Sequence, residues 1–213
     1  MPFPSFFWIE NTKNYISIVE NSFIDEDKKI TQEFEELKKE KDKEYAEFKS
    51  ESLIDDSYSL EFVSKQLFRH STLISIYSFI EYQLKKICDS LDTKMFLPMK
   101  PKDFAGSGVD KYSKYLLYVS SIDIKKDKKY FWEELERFKK IRNILVHESG
   151  VVKKTDIDIN NYIKSNSNLS LEHDKLFIKE RYITDQINLA EEFFNSLEND
   201  LEEKLPNIFN DEF

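Results

Sequence analysis

Chain breakers are scarce in this sequence: three glycines and five prolines stand among 213 residues. The corners of sandwiches and barrels draw heavily on those two residue types, so their shortage favours long helices. The case is clearest within the longest run free of both, residues 5–97. No Gly or Pro falls between Asp55 and Asp92, where Leu60, Val63, Leu67, Ile74, Tyr77, Ile80, Leu84 and Ile87 recur at helical spacing. That pattern predicts one long helix starting near Asp55-Asp56-Ser57.

The rest of the chain is read in the same way. From Phe6 to about Phe23 the pattern is short and aromatic, and Asp25-Glu26-Asp27 then opens a charged run. Ile30, Phe34 and Leu37 follow an i, i+4, i+7 stripe, continued by Tyr45 and Phe48, with acidic residues in the first turn. Lys41 and Glu44 break the heptad seam, so this helix is expected to lie along a bundle and to form no long coiled coil. Pro98 to Gly108 holds two prolines and two glycines and is the main internal loop, followed by a short helix from about Asp110 to Ser120.

Phe131, Leu135, Phe138, Ile141 and Leu145 share one stripe, with Trp132 on its flank, and Gly150 is the expected stop of that helix. Leu169-Ser170-Leu171 and Leu176-Phe177-Ile178, separated by Glu172-His173-Asp174-Lys175, suggest a small β-hairpin before a last helix from about Glu180 to Lys204. The expected fold is all-α: a helical bundle over residues 55–213 with an N-terminal helical arm, residues 1–54, packed on it as one domain.

Composition bounds the function. Net charge is −9, with both signs interleaved along the chain, which argues against a protein that coats duplex DNA by charge and leaves room for a small local basic site. Cys88 is the single cysteine, as suits a reducing compartment. The opening Met1-Pro2-Phe3-Pro4 lacks a basic n-region, and the uncharged stretch His70 to Ile80 is well short of the roughly 18 apolar residues of a membrane span. A cytoplasmic protein without membrane contact is expected.

One strip departs from the apolar pattern. Ile141-Arg142-Asn143-Ile144-Leu145-Val146-His147 places three polar functional groups on an otherwise apolar helix. At 100° per residue Asn143 and His147 lie one turn apart on one ridge, and Arg142 lies about 140° round from His147. RNA can be cleaved without metal or cofactor when one group moves the 2′-hydroxyl proton and a cation steadies the charge on the phosphate. Histidine suits the first task because its reference pKa is about 6.5. Arginine suits the second because its planar fork stays charged and donates two parallel hydrogen bonds. Asn143 can orient either partner. The competing reading is structural: a His in the last turn is favoured by the helix dipole, and an Arg there can cap carbonyls.

Arg142-Asn143-x-x-x-His147 near the end of a late helix resembles the signature of the HEPN (higher eukaryotes and prokaryotes nucleotide-binding) domain proteins. Glu81-Tyr82-Gln83-Leu84-Lys85-Lys86 resembles the second motif of that family, a Glu followed four residues later by two basic residues. The stretch from Lys102 to Asp110 and the Trp132 helix are similar to the loop and approach of one HEPN branch. The likeness covers roughly Leu60 to Gly150.

The resemblance implies an antiparallel bundle that dimerises and a composite cleft that cuts RNA without metal, often as a toxin or antiviral effector. It assigns Arg142 and His147 as the catalytic pair, Asn143 as a polar aide and Glu81 as a supporting acid, with Lys85 and Lys86 on the RNA. An antitoxin or regulatory protein would be a further partner. Two alternatives remain open: a non-catalytic interaction module on the same fold, and a HEPN subunit serving a nucleotidyltransferase. An ordinary i, i+4 surface pair is the bland reading of Glu81 with Lys85. His70 is read as a packing or polar-face residue. No zinc pattern is present, and Gly106-Ser107-Gly108 lacks the Lys-Ser/Thr of a phosphate loop, so it is read as a turn.

Overall fold

The computed structural model describes residues 5–106 and 108–206; Met1 to Pro4, Ser107 and Asn207 to Phe213 lie outside the described residues. The helical elements are α1 (Ser5–Leu37), α2 (Lys43–Tyr58), a π-helical turn (Ser59–Ser64) and α3 (Lys65–Met95). A 3-10 turn (Pro101–Asp103), α4 (Gly108–Ser120), α5 (Ile124–Asp127), α6 (Lys129–His147) and α7 (Ile157–Ser165) follow. The strands β1 (Leu169–Glu172) and β2 (Lys175–Ile178) precede the last helix, α8 (Glu180–Lys204). The protein is thus mostly helical, with a small antiparallel two-stranded sheet.

α3 is the axis of the core. Leu73, Ile76, Tyr77, Ile80, Leu84, Ile87, Cys88 and Leu91 are buried along it, and it touches α1, α4, α6 and α8. Stacked rings join the outer elements: Trp8 on α1 lies 3.8 Å from Phe79 on α3, and Phe131 on α6 lies 3.6 Å from Phe193 on α8. Each buried ring or aliphatic chain contributes about 1.5–3 kcal/mol relative to exposure.

A polar network fixes α1 and the sheet to α3. Arg69, 7% exposed, donates from Nε and Nη2 to the Glu20 carboxylate, both at 2.8 Å, and from Nη1 to the Ile178 carbonyl at 3.0 Å. Gln66 takes the free edge of β2 as a neighbouring strand would: its Oε1 accepts from Ile178 N and its Nε2 donates to Ile178 O. One α3 ridge therefore reads both an acidic helix and a strand edge.

Several expectations need correction. The helix expected to open at Asp25 begins at Ser5 and ends at Leu37, so the aromatic stretch from Phe6 to Phe23 is its first half. No break falls near Asp55: α2 starts at Lys43, capped by Asp42 Oδ1 on Tyr45 N, and helical backbone continues through the π turn into α3. Position 54 lies inside α2. The turn between α1 and α2 falls where Lys41 and Glu44 interrupt the apolar stripe, and too few apolar side chains there carry one helix through. Two short helices escaped periodicity altogether, α5 capped by Asp123 and α7 capped by Asp156.

The hairpin forms where expected and is tighter. Its strands extend to Glu172 and Lys175, joined by His173 and Asp174 with φ of 51° and 65°, the signature of a type I′ turn. Among the described residues no helix is long and apolar enough to cross a membrane.

Candidate functional site

α6 carries the Arg-Asn-His strip. Phe131, Leu135, Phe138, Ile141 and Leu145 are buried on its inner ridge. Anchoring that ridge turns the opposite side of the helix outward, so Asn143 and His147 are exposed one turn apart. Arg142 is half-buried on the flank facing α3, its guanidinium carbon 5.8 Å from the centre of the Tyr77 ring.

The guanidinium keeps donors unused. Nη1 donates to Asn143 Oδ1 at 3.1 Å, Nε is buried without a hydrogen-bond partner, and no carboxylate pairs with Arg142 among the described residues. Tyr77 senses the surrounding charges. Burial first, then the negative charges of Glu81 and Glu136, push its hydroxyl up to about 12, with Arg142 acting the other way. The phenol is therefore a standing donor at neutral pH.

Glu81 lies one turn beyond Tyr77 on α3, half-buried against the start of α4. Gly108, the first residue of α4, has φ of +53°, and a Cβ there would meet Glu81 Oε1 at 2.6 Å. A carboxylate at that place also faces the positive end of the α4 dipole.

His147 closes α6 without capping it. The amides of Glu148 and Gly150 both donate to the Ile144 carbonyl, at 3.1 and 3.0 Å, and Gly150 has φ of +82°. This Schellman-type closure is made by backbone alone. Among the described residues the His147 side chain makes no hydrogen bond or ion pair. The next residues stitch this end of α6 to the hairpin, Leu176 N to Gly150 O and Val152 N to Asp174 O, both at 2.8 Å.

Comparison with protein-family models, with curated proteins and with solved structures returned no match.

Arg142, bonded to Asn143 on α6, meets the Tyr77 ring on α3, with His147 one turn further along α6 and Glu81 one turn beyond Tyr77 against the start of α4. Lys85 and Lys86 do not join them. Lys85 pairs with Asp89 at 2.7 Å, in place of the i, i+4 pair with Glu81, and Lys86 lies 5.5 Å from the centre of the Tyr82 ring. Lys86 projects about 140° round α3 from Glu81. His70 is a packing residue: its Nε2 donates to the Leu176 carbonyl at 3.2 Å, and burial lowers its pKa against the raising effect of that bond. His173, Glu172 and Asp174 are exposed in the hairpin turn, and no group of three His, Cys, Asp or Glu side chains converges as for a metal among the described residues.

Tyr77 is the residue that sequence reasoning missed at this site. It stands in the apolar stripe of α3 and reads as core, which it is at 5% exposure. The signal that was available is its position four residues before Glu81, which puts ring and carboxylate on one ridge.

Proposed function

We propose that this chain is a metal-independent endoribonuclease of the HEPN type, acting as a homodimer through Arg142, Asn143 and His147, in the manner of a toxin or antiviral effector. One observation carries the reading: half-buried Arg142 and exposed His147 keep unused donors on one helix, whereas among the described residues the buried cations Arg69 and Lys65 are consumed. Arg69 is held by Glu20, and Lys65 by Asp27 and Glu61. A cation without a carboxylate partner at the rim of the core is available for a phosphate.

The reaction follows from those groups. The ribose 2′-oxygen attacks the adjacent phosphorus and its proton passes to a general base. The P–O5′ bond breaks, and the 5′-oxygen leaves with a proton from a general acid. His147 has the chemistry for either proton step, and Arg142 steadies the charge on the non-bridging oxygens. Asn143 holds the guanidinium, and Glu81 with the Tyr77 hydroxyl borders the same place. The products are a 2′,3′-cyclic phosphate and a 5′-hydroxyl.

A single α6 presents Arg142 and His147 about 140° apart, too widely to close round one phosphodiester. A second copy facing the first supplies the other wall and a second His147, so that acid and base come from two chains. The test is cleavage of total RNA by the purified protein in excess EDTA. Cyclic-phosphate ends are expected. Loss of cleavage on chelation, restored by Mg²⁺, contradicts the mechanism, and a folded dimer that cuts no RNA favours the interaction-module reading.

A further inference from the structure

The side of α6 turned away from Arg142 borders a second feature, an open cleft of about 1110 Å³ between α6, α7 and α8. Its walls are polar. Gln186 on α8 lines it, is 4% exposed, and has an Oε1 that is buried without a hydrogen-bond partner. A buried acceptor left unpaired is costly, and a ligand bearing an O–H or N–H donor relieves it.

The neighbouring hydroxyls are loosely held. Tyr162 OH donates to Glu134 Oε2 at 3.4 Å, stands 3.4 Å from Tyr182 OH and accepts from Asn166 Nδ2 at 3.5 Å. All three contacts lie at the long limit of hydrogen bonding, so this hub can exchange partners at small cost. The Arg137 guanidinium carbon lies 5.5 Å from the centre of the Tyr162 ring.

Charge narrows the class of ligand. Glu134 is paired with Arg137, Asp158 with Lys140 at 3.5 Å and Asp185 with Arg181 at 2.9 Å, and Glu192 lines the same cleft with no ion pair among the described residues. An anion would face the Glu134, Asp158, Asp185 and Glu192 carboxylates of the walls, whereas the two groups without firm partners, the Gln186 amide oxygen and the Tyr162 hydroxyl, are neutral and suit a neutral donor. Gln186 Oε1 can only accept and the Tyr162 hydroxyl both donates and accepts, and a hydroxyl is the neutral group that can answer both. We infer that the cleft between α6, α7 and α8 binds a neutral, hydroxyl-bearing ring, either a free sugar or the ribose of a nucleoside, with Gln186 Oε1 and the Tyr162 hydroxyl as its recognition atoms. The cleft borders neither Arg142 nor His147, so this inference stands apart from the RNA-cleavage reading.

The test is calorimetric titration of the full chain with maltotriose, methyl ribofuranoside, adenosine and spermidine, each at up to about 10 mM, where contacts of fragment strength still register. Binding of a sugar or a riboside is expected, and the four probes separate the two sources from each other and from a cation. Gln186→Leu and Tyr162→Phe should each weaken it about tenfold. Gln186→Leu should also leave the melting temperature unchanged or raised, because it removes an acceptor that has no partner in the free protein. Binding of spermidine alone overturns the inference. So does binding that both variants retain, and so does the absence of binding by every probe.

Discussion

A Cβ placed on Gly108 would come within 2.6 Å of Glu81 Oε1, and the same glycine holds a φ of +53° that side chains disfavour. The start of α4 and the late turns of α3 are thus fitted to each other through one carboxylate. Gly108→Ala is expected to cost about 1–2 kcal/mol from the backbone conformation alone, with a further loss from the contact, lowering Tm by several degrees. Glu81→Ala in the same chain should recover the contact part. Strictly additive losses in the double variant would show that the two residues do not meet.

The Glu20–Arg69 pair makes a sharper stability prediction, because Glu20 is 3% and Arg69 7% exposed. Glu20→Ala leaves a guanidinium buried with one carbonyl as its acceptor, and removing one partner of a buried pair costs about 3–5 kcal/mol. For a chain of this size that corresponds to a fall in Tm of roughly 10 °C. Thermal unfolding of Glu20→Ala checks it, and a fall of less than about 2 °C would mean that α1 is not held through this pair.

His70 predicts a pH dependence. Its folded pKa is lowered by burial, so the unfolded chain binds the proton more readily than the native one does. Stability is then fully present above the unfolded value, about 6.5, and declines as pH falls below it towards the folded pKa. Tm should drop between about pH 7 and pH 5.5, and His70→Gln should flatten that slope, since glutamine donates to the Leu176 carbonyl without titrating. An unchanged slope in His70→Gln would place the effect on other groups.

Much of this architecture is legible in the sequence, for identifiable reasons. The stripe from Leu60 to Ile87 is long and strongly periodic, and α3 follows from it. The hairpin is legible because Glu172-His173-Asp174-Lys175 separates two β-prone triplets. The start of α1 is not, because Trp8 and Phe23 pack on Phe79 and Phe68 of α3 while Phe6, Phe7 and Tyr15 of the same stretch stand exposed, so the aromatics trace no single apolar stripe. The continuity of α2 into α3 is hidden because Asp55-Asp56-Ser57 reads as an N-cap while tertiary packing keeps it helical. At the site, the three α6 residues are legible from spacing, but their neighbour Tyr77 is not, since its role depends on which face α3 turns to α6. The separate fates of Lys85 and Lys86 are likewise set by local partners, Asp89 and the Tyr82 ring.

The proposed dimer is tested at Val146, which is 42% exposed on α6, one turn after Arg142. A composite cleft puts this side chain in the contact between copies. Val146→Asp is expected to dissociate the dimer at micromolar concentration and to abolish cleavage, with the fold intact because the side chain is outside the core. Sedimentation and circular dichroism on the variant read both. An unaltered dimer that has lost no activity would remove α6 from the interface.

RNA cleavage in excess EDTA and Tm, measured on one preparation of His147→Ala, separate a catalytic imidazole from a structural one. Because α6 is closed by the amides of Glu148 and Gly150, loss of the imidazole should change stability by no more than about 0.5 kcal/mol. Loss of a proton-transfer group should slow cleavage by about 10²–10⁴. Arg142→Ala and Arg142→Lys should both fall by about 10²–10³, since the ammonium lacks the fork. A folded His147→Ala protein that no longer cleaves RNA is expected; a variant with lowered Tm and undiminished cleavage would make His147 a structural cap and not a catalytic group.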